Sequence, residues 1–168
     1  MSEIRVFLHQ LDDAWGHAWE SLQSVLGGVT EEEAFWQAEA YADEAQEEGW
    51  PKPGTIAWQV AHVAHCKRYY TDIIRRAGQE GRPEVRPWTP LPDLGSLRGV
   101  LQDAHDAQRA AIADFPDDRL DVVAGNDMPF REFLAMCIRH DTWHASQIAV
   151  ARRLYRASRP TPKAPESS

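Results

Sequence analysis

Three histidines are the residues of this chain whose type and spacing best suit metal chemistry. His140 and His144 lie one helical turn apart in the run RHDTWH, and His62 lies in a second helical run, AHVAH. Imidazole is the commonest protein ligand for first-row transition metals, and a spacing of i, i+4 places two rings on one helix face. If the two helices pack together, three nitrogens can converge on one ion and leave positions open for water or substrate. The chain is therefore a candidate metalloprotein.

A core-facing histidine also has a plainer interpretation, as a buried ring satisfied by hydrogen bonds. His140 and His144 fall on the apolar stripe of their helix, where an unpaired polar ring costs roughly 1–3 kcal/mol. Spacing alone leaves packing and metal binding both open. The third histidine, on another core-facing helix, strengthens the case for metal binding without deciding between the two.

Four further side chains flank these histidines. His65 is our candidate acid or base catalyst and could instead be a fourth metal ligand, although a surface position or a place behind the ligands is the favoured interpretation. Cys66 and Cys137 also flank the site; buried thiols usually serve packing, and thiolate ligation is the alternative. Asp141 is a weaker candidate base, because the helix turns it about 100° away from the preceding histidine.

Four segments show the periodicity of amphipathic helices, and almost nothing shows the alternation of a strand. They cover residues 4–26, 55–77, 93–115 and 129–156. Thr55 and Asp93 are predicted N-caps, and Thr30 with the acidic run after it predicts a capping box. Residues 34–49 are either helical or a covering loop. Four helices of about 20 residues predict an all-α fold, a four-helix bundle.

The bundle is predicted to form one domain, residues 1–156, followed by a Pro- and Ser-rich tail, residues 157–168, that we expect to be disordered. Gly78 and the turn at residues 125–127 are predicted helix breaks. Other side chains receive weaker assignments. Tyr69 and Gln147 are expected on the site faces, and His105 at the surface. Exposed tryptophans could serve an interface between copies, namely Trp15, Trp19 and Trp143.

Composition narrows the classes of partner. The formal charge is −8, with 26 acidic and 18 basic residues, so binding to nucleic acid is not expected. No apolar run approaches the length of about 20 residues that spans a bilayer, and the first residues lack the features of a signal peptide. Two cysteines fit a reducing compartment. We therefore expect a cytoplasmic protein that does not associate with membranes.

Two motifs carry a resemblance to a known family. Residues 55–64, TIAWQVAHVA, and residues 140–148, HDTWHASQI, resemble motifs of the DinB/YfiT-like superfamily of metalloenzymes. The resemblance covers roughly residues 3–156. It implies a DinB-like metal site formed by His62, His140 and His144, which hold a divalent ion such as zinc, nickel or manganese.

The resemblance also implies an up-down-down-up bundle, which needs a long link between its second and third helices. The proline-bearing segment 79–92 has 14 residues. Fully extended, it would reach roughly 46–50 Å, against about 30 Å for a 20-residue helix. Its length permits the crossover.

Two function classes follow. The first is a metal-dependent enzyme for a small-molecule substrate. It would be a thiol-dependent S-transferase or isomerase using a low-molecular-weight thiol, as in relatives implied by the resemblance, or a hydrolase. The second is a non-catalytic, metal-stabilised bundle that forms a homodimer or binds a partner. A vacant coordination position beside a concave opening would favour the enzyme, and four protein ligands would favour the second class.

Overall fold

A computed structural model describes residues 2–76, 82–124 and 128–159 of the chain. Within these residues the fold is all-helical, as predicted, and contains no strand longer than an isolated bridge. It consists of six α-helices, namely α1 (Glu3–Gly16), α2 (Leu22–Leu26), α3 (Glu31–Phe35), α4 (Ile56–Arg76), α5 (Leu94–Ala113) and α6 (Phe130–Ala157). Two 3₁₀ turns, Glu39–Tyr41 and Asp117–Arg119, lie in the connections.

The first predicted helix is two helices. The periodic stripe suggested one helix over residues 4–26, but α1 ends at Gly16 and α2 begins at Leu22. The cause lies in a capping box. The Ser21 hydroxyl accepts from the Ser24 N–H at 3.2 Å and the Ser24 hydroxyl accepts from the Ser21 N–H at 3.0 Å. Such a reciprocal pair starts a new helix, so the apolar stripe continues while the helix does not.

The acidic run at the start of α3 connects helices. Thr30 Oγ1 accepts from the Glu33 N–H at 3.2 Å, so the predicted cap is present. The Glu33 carboxylate accepts from Arg152 Nε of α6 at 2.9 Å, which leaves the predicted capping box half formed. The Glu31 carboxylate accepts from the Leu94 N–H at 3.1 Å, at the first residue of α5. The run thus ties α3 to both α5 and α6.

The predicted caps of the long helices are confirmed. Thr55 Oγ1 accepts from the Trp58 N–H at 3.0 Å, and Asp93 Oδ1 accepts from the Ser96 N–H at 2.6 Å. Residues 36–55 form a loop that is irregular apart from one 3₁₀ turn, as in the second of the two predicted alternatives. The predicted breaks at Gly78 and residues 125–127, and residues 160–168 of the predicted tail, lie outside the described residues.

The apolar core divides into two clusters along the length of the helices. One joins the first half of α4 to the first half of α5 and to two buried residues of α6, Ala145 and Ile148. The other joins Ile73 and Ile74 of α4 to the second half of α5, to α1 and to the first turns of α6. In the described part of the chain, no helix is both long and apolar enough to cross a bilayer.

A charged pair lies between the two clusters. Lys67 of α4 donates to Asp141 Oδ2 of α6 at 2.6 Å and to Gln108 Oε1 of α5 at 2.9 Å. Both charged side chains are 1% exposed. Asp141 Oδ1 and Gln108 Nε2 have no hydrogen-bond partner among the described residues, so the cluster is only partly satisfied. Separating the two buried charges would leave each of them unpaired, so this contact holds the three long helices at one level.

His105 is buried rather than at the surface. It is 2% exposed, and its ring stacks on Trp15 of α1 with centroids 3.8 Å apart and planes 6° from parallel. The prediction of a surface position was wrong because α5 is packed on several sides, so its buried arc is wider than a single apolar stripe. The stacked Trp15 is half-buried and packs against the core, and its role at an interface stays a prediction.

Candidate metal centre

Helices α4 and α6 pack side by side and bring the three predicted histidines together. The ring centroid of His62 lies 5.4 Å from that of His140 and 4.8 Å from that of His144. The His140 and His144 centroids are 4.4 Å apart, and their Nε2 atoms are separated by 3.2 Å. Three imidazoles from two helices therefore face one small volume.

A sulfur lies beside these rings. Cys66 Sγ is 3.5 Å from His62 Nε2, because the two residues occupy successive turns of α4. One ligand atom from each of His62, Cys66 and His140 lies within 4.8 Å of the others. This cluster could hold a metal ion, and it contains Cys66 where the predicted set contains His144.

A hydrogen bond on the side away from the other histidines fixes the orientation of the His144 ring. Its Nδ1 lies 2.5 Å from the side-chain oxygen of Gln59, one turn before His62 on α4. An amide oxygen only accepts hydrogen bonds, so the proton of this imidazole resides on Nδ1 and the lone pair of Nε2 points towards His140. A polar group that holds the far nitrogen is the usual companion of a metal-binding histidine.

Burial keeps the imidazoles neutral. Together with a smaller effect of the neighbouring histidines, it lowers the pKa of His140 to about 4 and that of His144 to about 3. The pKa of His62 is lowered as well, by burial and then by His65. Burial raises the pKa of the Cys66 thiol to about 11. Near neutral pH the rings thus offer free lone pairs, which metal binding requires. The Cys66 thiol, without a metal beside it, would keep its proton.

Two pairs of possible donor atoms are spaced as a divalent transition ion would require. Two nitrogens bound to one tetrahedral zinc at roughly 2.0–2.1 Å lie about 3.3–3.4 Å apart, and a thiolate bound at about 2.3 Å lies about 3.5–3.6 Å from such a nitrogen. The observed separations are 3.2 Å between His140 and His144 and 3.5 Å between Cys66 and His62. In addition, His140 Nδ1 is buried without a hydrogen-bond partner among the described residues.

A pocket of about 680 Å³ opens beside the rings and is lined by all three histidines. This volume lies within the range of roughly 300–1,000 Å³ typical of small-molecule sites. Its walls come from α4, α6 and the loop between α3 and α4. Polar groups from Gln59, Gln147 and Ser146 line it, together with four large aromatic side chains, Trp36, Tyr41, Trp58 and Trp143.

Comparison with known proteins identifies the family. A family model described as the DinB superfamily matches residues 14–148, which include α4, α5 and most of α6. The chain belongs to the DinB superfamily. No curated protein and no solved structure matches it.

Within this DinB protein, His65 lies apart from the pocket that the other three histidines line. Its ring stands edge-on to Trp50 and Trp88, with centroids 5.4 Å and 6.4 Å away, and it lines a second cavity of about 440 Å³. Asp141 is paired with Lys67 in the interior. Neither side chain is among the described residues that line the first pocket.

Other flanking residues divide between the two cavities. Gln147 lines the histidine pocket, as expected, but Tyr69 lines the second cavity. The neighbouring Tyr70 takes the place expected for Tyr69, with its ring edge-on to His140 at 5.6 Å. Cys137 is 1% exposed within the apolar core, which agrees with the packing interpretation of that thiol.

Two neighbours of the DinB site were not predicted from the sequence. Gln59 holds His144, and Trp58 stacks on His62 with centroids 4.9 Å apart and planes 11° from parallel. Both precede His62 by about one turn, at i−3 and i−4. A search of that turn for polar and aromatic side chains, following the i, i+4 rule, would have found them.

Proposed function

We propose that this DinB protein is a metal-dependent enzyme acting on a small molecule, with His62, His140 and His144 as metal ligands. One observation carries the proposal: three neutral imidazoles meet in the wall of an open pocket of about 680 Å³. A purely structural site would be expected to be closed on all sides by protein.

The chemistry of the donors bears on the metal. A divalent ion in this site would act as a Lewis acid and lower the pKa of a water or thiol that binds to it. Imidazole suits zinc and nickel, whereas manganese favours oxygen ligands. The nitrogen-rich set therefore supports zinc or nickel ahead of manganese.

Transfer or isomerisation by a low-molecular-weight thiol is better supported than hydrolysis. A hydrolase needs a general base close to the attacking water, but Asp141 is paired with Lys67 and His65 lines the other cavity. Among the described lining residues, Glu44 of the covering loop is the one carboxylate. In thiol transfer, the thiol releases its proton to solvent water and its sulfur bonds to an electrophilic carbon. The bond from that carbon to the leaving group breaks, and the leaving group departs with the electron pair.

The position of Cys66 favours one alternative. With Sγ 3.5 Å from His62 Nε2, the thiolate could complete four protein ligands around the ion. Such a closed site would make the protein a non-catalytic, metal-stabilised module. Trp19 and Trp143, which are 77% and 64% exposed, would then be candidates for contacts in a homodimer or with another partner.

The packing supports the predicted up-down-down-up bundle. The start of α4 shares its core cluster with the start of α5, and the end of α4 shares the other cluster with the end of α5. Contacts between α4 and α6 run in opposite directions, from Gln59–His144 to Tyr70–Phe133. Parallel α4 and α5 require the connection between them to return along the bundle.

The experiment that tests the proposal is elemental analysis of untagged protein purified without a metal column. We expect about one equivalent of divalent metal per chain in the wild type and in His9→Ala, an exposed histidine outside the site, and loss of most of it in His144→Ala. Far-ultraviolet circular dichroism checks that each variant folds. Equal metal content in His144→Ala and His9→Ala would contradict the ligand assignment.

A further variant separates the enzyme from the closed site. Cys66→Ser removes the sulfur and retains a small polar side chain. If the site is the open one proposed here, the variant keeps its metal. If Cys66 is the fourth ligand of a closed site, the variant loses metal affinity, and the cobalt-substituted wild type shows a sulfur-to-cobalt charge-transfer band that the variant lacks.

A further inference from the structure

We infer that the molecule bound beside the histidines has an uncharged, apolar body, and that any charge on it is confined to the head group that faces the histidines. The inference deepens the proposed function and rests on it for the head group. It concerns the remainder of the ligand, which the rest of the pocket must accommodate.

The first observation is an apolar wall on α6. Trp143, Val150 and Leu154 are 64%, 52% and 45% exposed, and their spacing of seven and four residues places them on one helix face. All three line the pocket, as do the loop residues Trp36 and Tyr41. Large apolar side chains exposed around a concave site mark a surface that a ligand covers.

The second observation is the charge of the lining. The chain has 18 lysines and arginines, but none is among the described residues that line this pocket, where Glu44 is the one charged side chain. A carboxylate on the body of a ligand would lose water there without gaining a cationic partner. It would also meet the negative charge of Glu44.

The second cavity gives a contrast within the same molecule. Its lining includes Arg68, Arg75 and Arg86, of which Arg86 pairs with Asp72 at 3.3 Å. Basic side chains are thus placed on the other face of α4, away from the histidine pocket. The described lining of the histidine pocket therefore lacks basic side chains because of where they are placed, and not because the chain as a whole is acidic.

The loop wall of the pocket is held in place by specific contacts. Gln37 Nε2 donates to the carbonyl oxygens of Tyr41 and Pro53, at 3.0 Å and 2.9 Å. Gly54 has a φ of +73°, and a Cβ there would lie 2.4 Å from Tyr41 Cγ. The loop therefore packs directly on the start of α4, and the apolar wall exists before a ligand binds.

The test compares two thiols with the same head group. Benzyl mercaptan has an uncharged aromatic body, whereas glutathione carries two carboxylates and one ammonium group. Binding to the cobalt-loaded full chain is followed by the cobalt absorption spectrum and by tryptophan fluorescence. We expect benzyl mercaptan to bind at least about tenfold more tightly than glutathione.

Two tryptophan variants and one charge variant sharpen the comparison. Trp143→Ala should weaken the binding of benzyl mercaptan about tenfold, because it removes a large apolar contact. Trp19→Ala is the matched control, since Trp19 is also exposed but does not line the pocket. Glu44→Arg should narrow the gap between the two thiols by favouring glutathione. Equal or tighter binding of glutathione by the wild type, or equal behaviour of the two tryptophan variants, would overturn the inference.

The outcomes separate this inference from the proposed function. If the protein does not retain cobalt, the metal assignment fails, and saturation-transfer NMR then measures benzyl mercaptan binding to the metal-free chain. Binding that Trp143→Ala abolishes and Trp19→Ala preserves would support the apolar pocket on its own. Absence of benzyl mercaptan binding to both the cobalt-loaded and the metal-free chain would overturn the inference.

Discussion

One hydrogen bond sets the direction in which His144 presents its lone pair. The Gln59 side-chain oxygen lies 2.5 Å from His144 Nδ1, which commits the ring proton to the side away from the other histidines. His144 is 5% exposed, so water cannot readily replace this acceptor. The metal affinity of the site should therefore depend on a residue that is not itself a ligand.

Replacing this acceptor is expected to weaken the site. Gln59→Leu removes the oxygen with a similar volume, so His144 can rotate or change tautomer, and metal affinity should fall about 10- to 100-fold. Competition with a chromophoric chelator measures the affinity. Gln147→Leu is the control, because Gln147 lines the same pocket without being assigned to a histidine. Equal affinities of the two variants would show that Gln59 does not orient the ligand.

At the scale of helices, the buried pair of Lys67 and Asp141 adjoins the site in sequence. Lys67 follows Cys66, and Asp141 follows His140, so the pair fixes α4 and α6 at the level where the ligands meet. Gln108 extends the contact to α5. The geometry of the histidines thus depends on a contact on the interior side of the same helices.

Removing one member of this pair should lower the free energy of unfolding much more than removing both. Asp141→Leu leaves a buried ammonium without its partner and should lower the free energy of unfolding by about 3–5 kcal/mol. The double variant Lys67→Met, Asp141→Leu should recover most of that loss. Urea denaturation with the metal removed measures both.

An exposed ion pair is the control for this comparison. Arg109 and Asp12 also lie 2.6 Å apart, but their side chains are 46% and 42% exposed, and Asp12→Ala should cost no more than about 1 kcal/mol. A loss in Asp141→Leu as small as that in Asp12→Ala would mean that the buried pair does not hold the helices together.

Several helices could be predicted from local signals. Thr55 and Asp93 begin α4 and α5 where their capping side chains suggested, because a cap acts within one turn. The spacing of His140 and His144 likewise determines their shared face. Their approach to His62 depends on how α4 and α6 pack, which only the shared apolar periodicity and the family resemblance indicated.

The missed features depend on contacts between distant segments. The Ser21–Ser24 capping box interrupts an apolar stripe that continues across it, so periodicity alone could not locate the end of α1. The burial of His105 requires Trp15 from another helix. Similarly, whether Tyr69 or Tyr70 faces His140 is decided by the rotation of α4, which two adjacent aromatic residues do not reveal.

For the whole molecule, the buried histidines make stability depend on pH. Burial lowers the pKa of His105 to about 3 from an ordinary value of 6.5. Between these values the unfolded chain binds a proton that the folded protein does not. Stability is therefore lost as the pH falls from about 6.5 towards 3.

His105→Phe should reduce this acid sensitivity. The variant keeps an aromatic ring for stacking on Trp15 but cannot take up the proton, so the slope of the unfolding free energy between about pH 4 and 6 should fall by about 1.4 kcal/mol per pH unit. Metal-free protein is used throughout, and His9→Gln, at an exposed position, serves as control. Parallel curves for His105→Phe and the wild type would contradict the assigned pKa.

We propose that His62, His140 and His144, drawn from two helices, bind one divalent ion. X-ray absorption spectroscopy of the zinc-loaded protein is the decisive measurement, because it counts nitrogen and sulfur neighbours of the metal. We expect three imidazole nitrogens at about 2.0–2.1 Å, falling to two in His144→Ala. A spectrum with two imidazoles and one sulfur at about 2.3 Å, unchanged in His144→Ala and altered in Cys66→Ser, would contradict it.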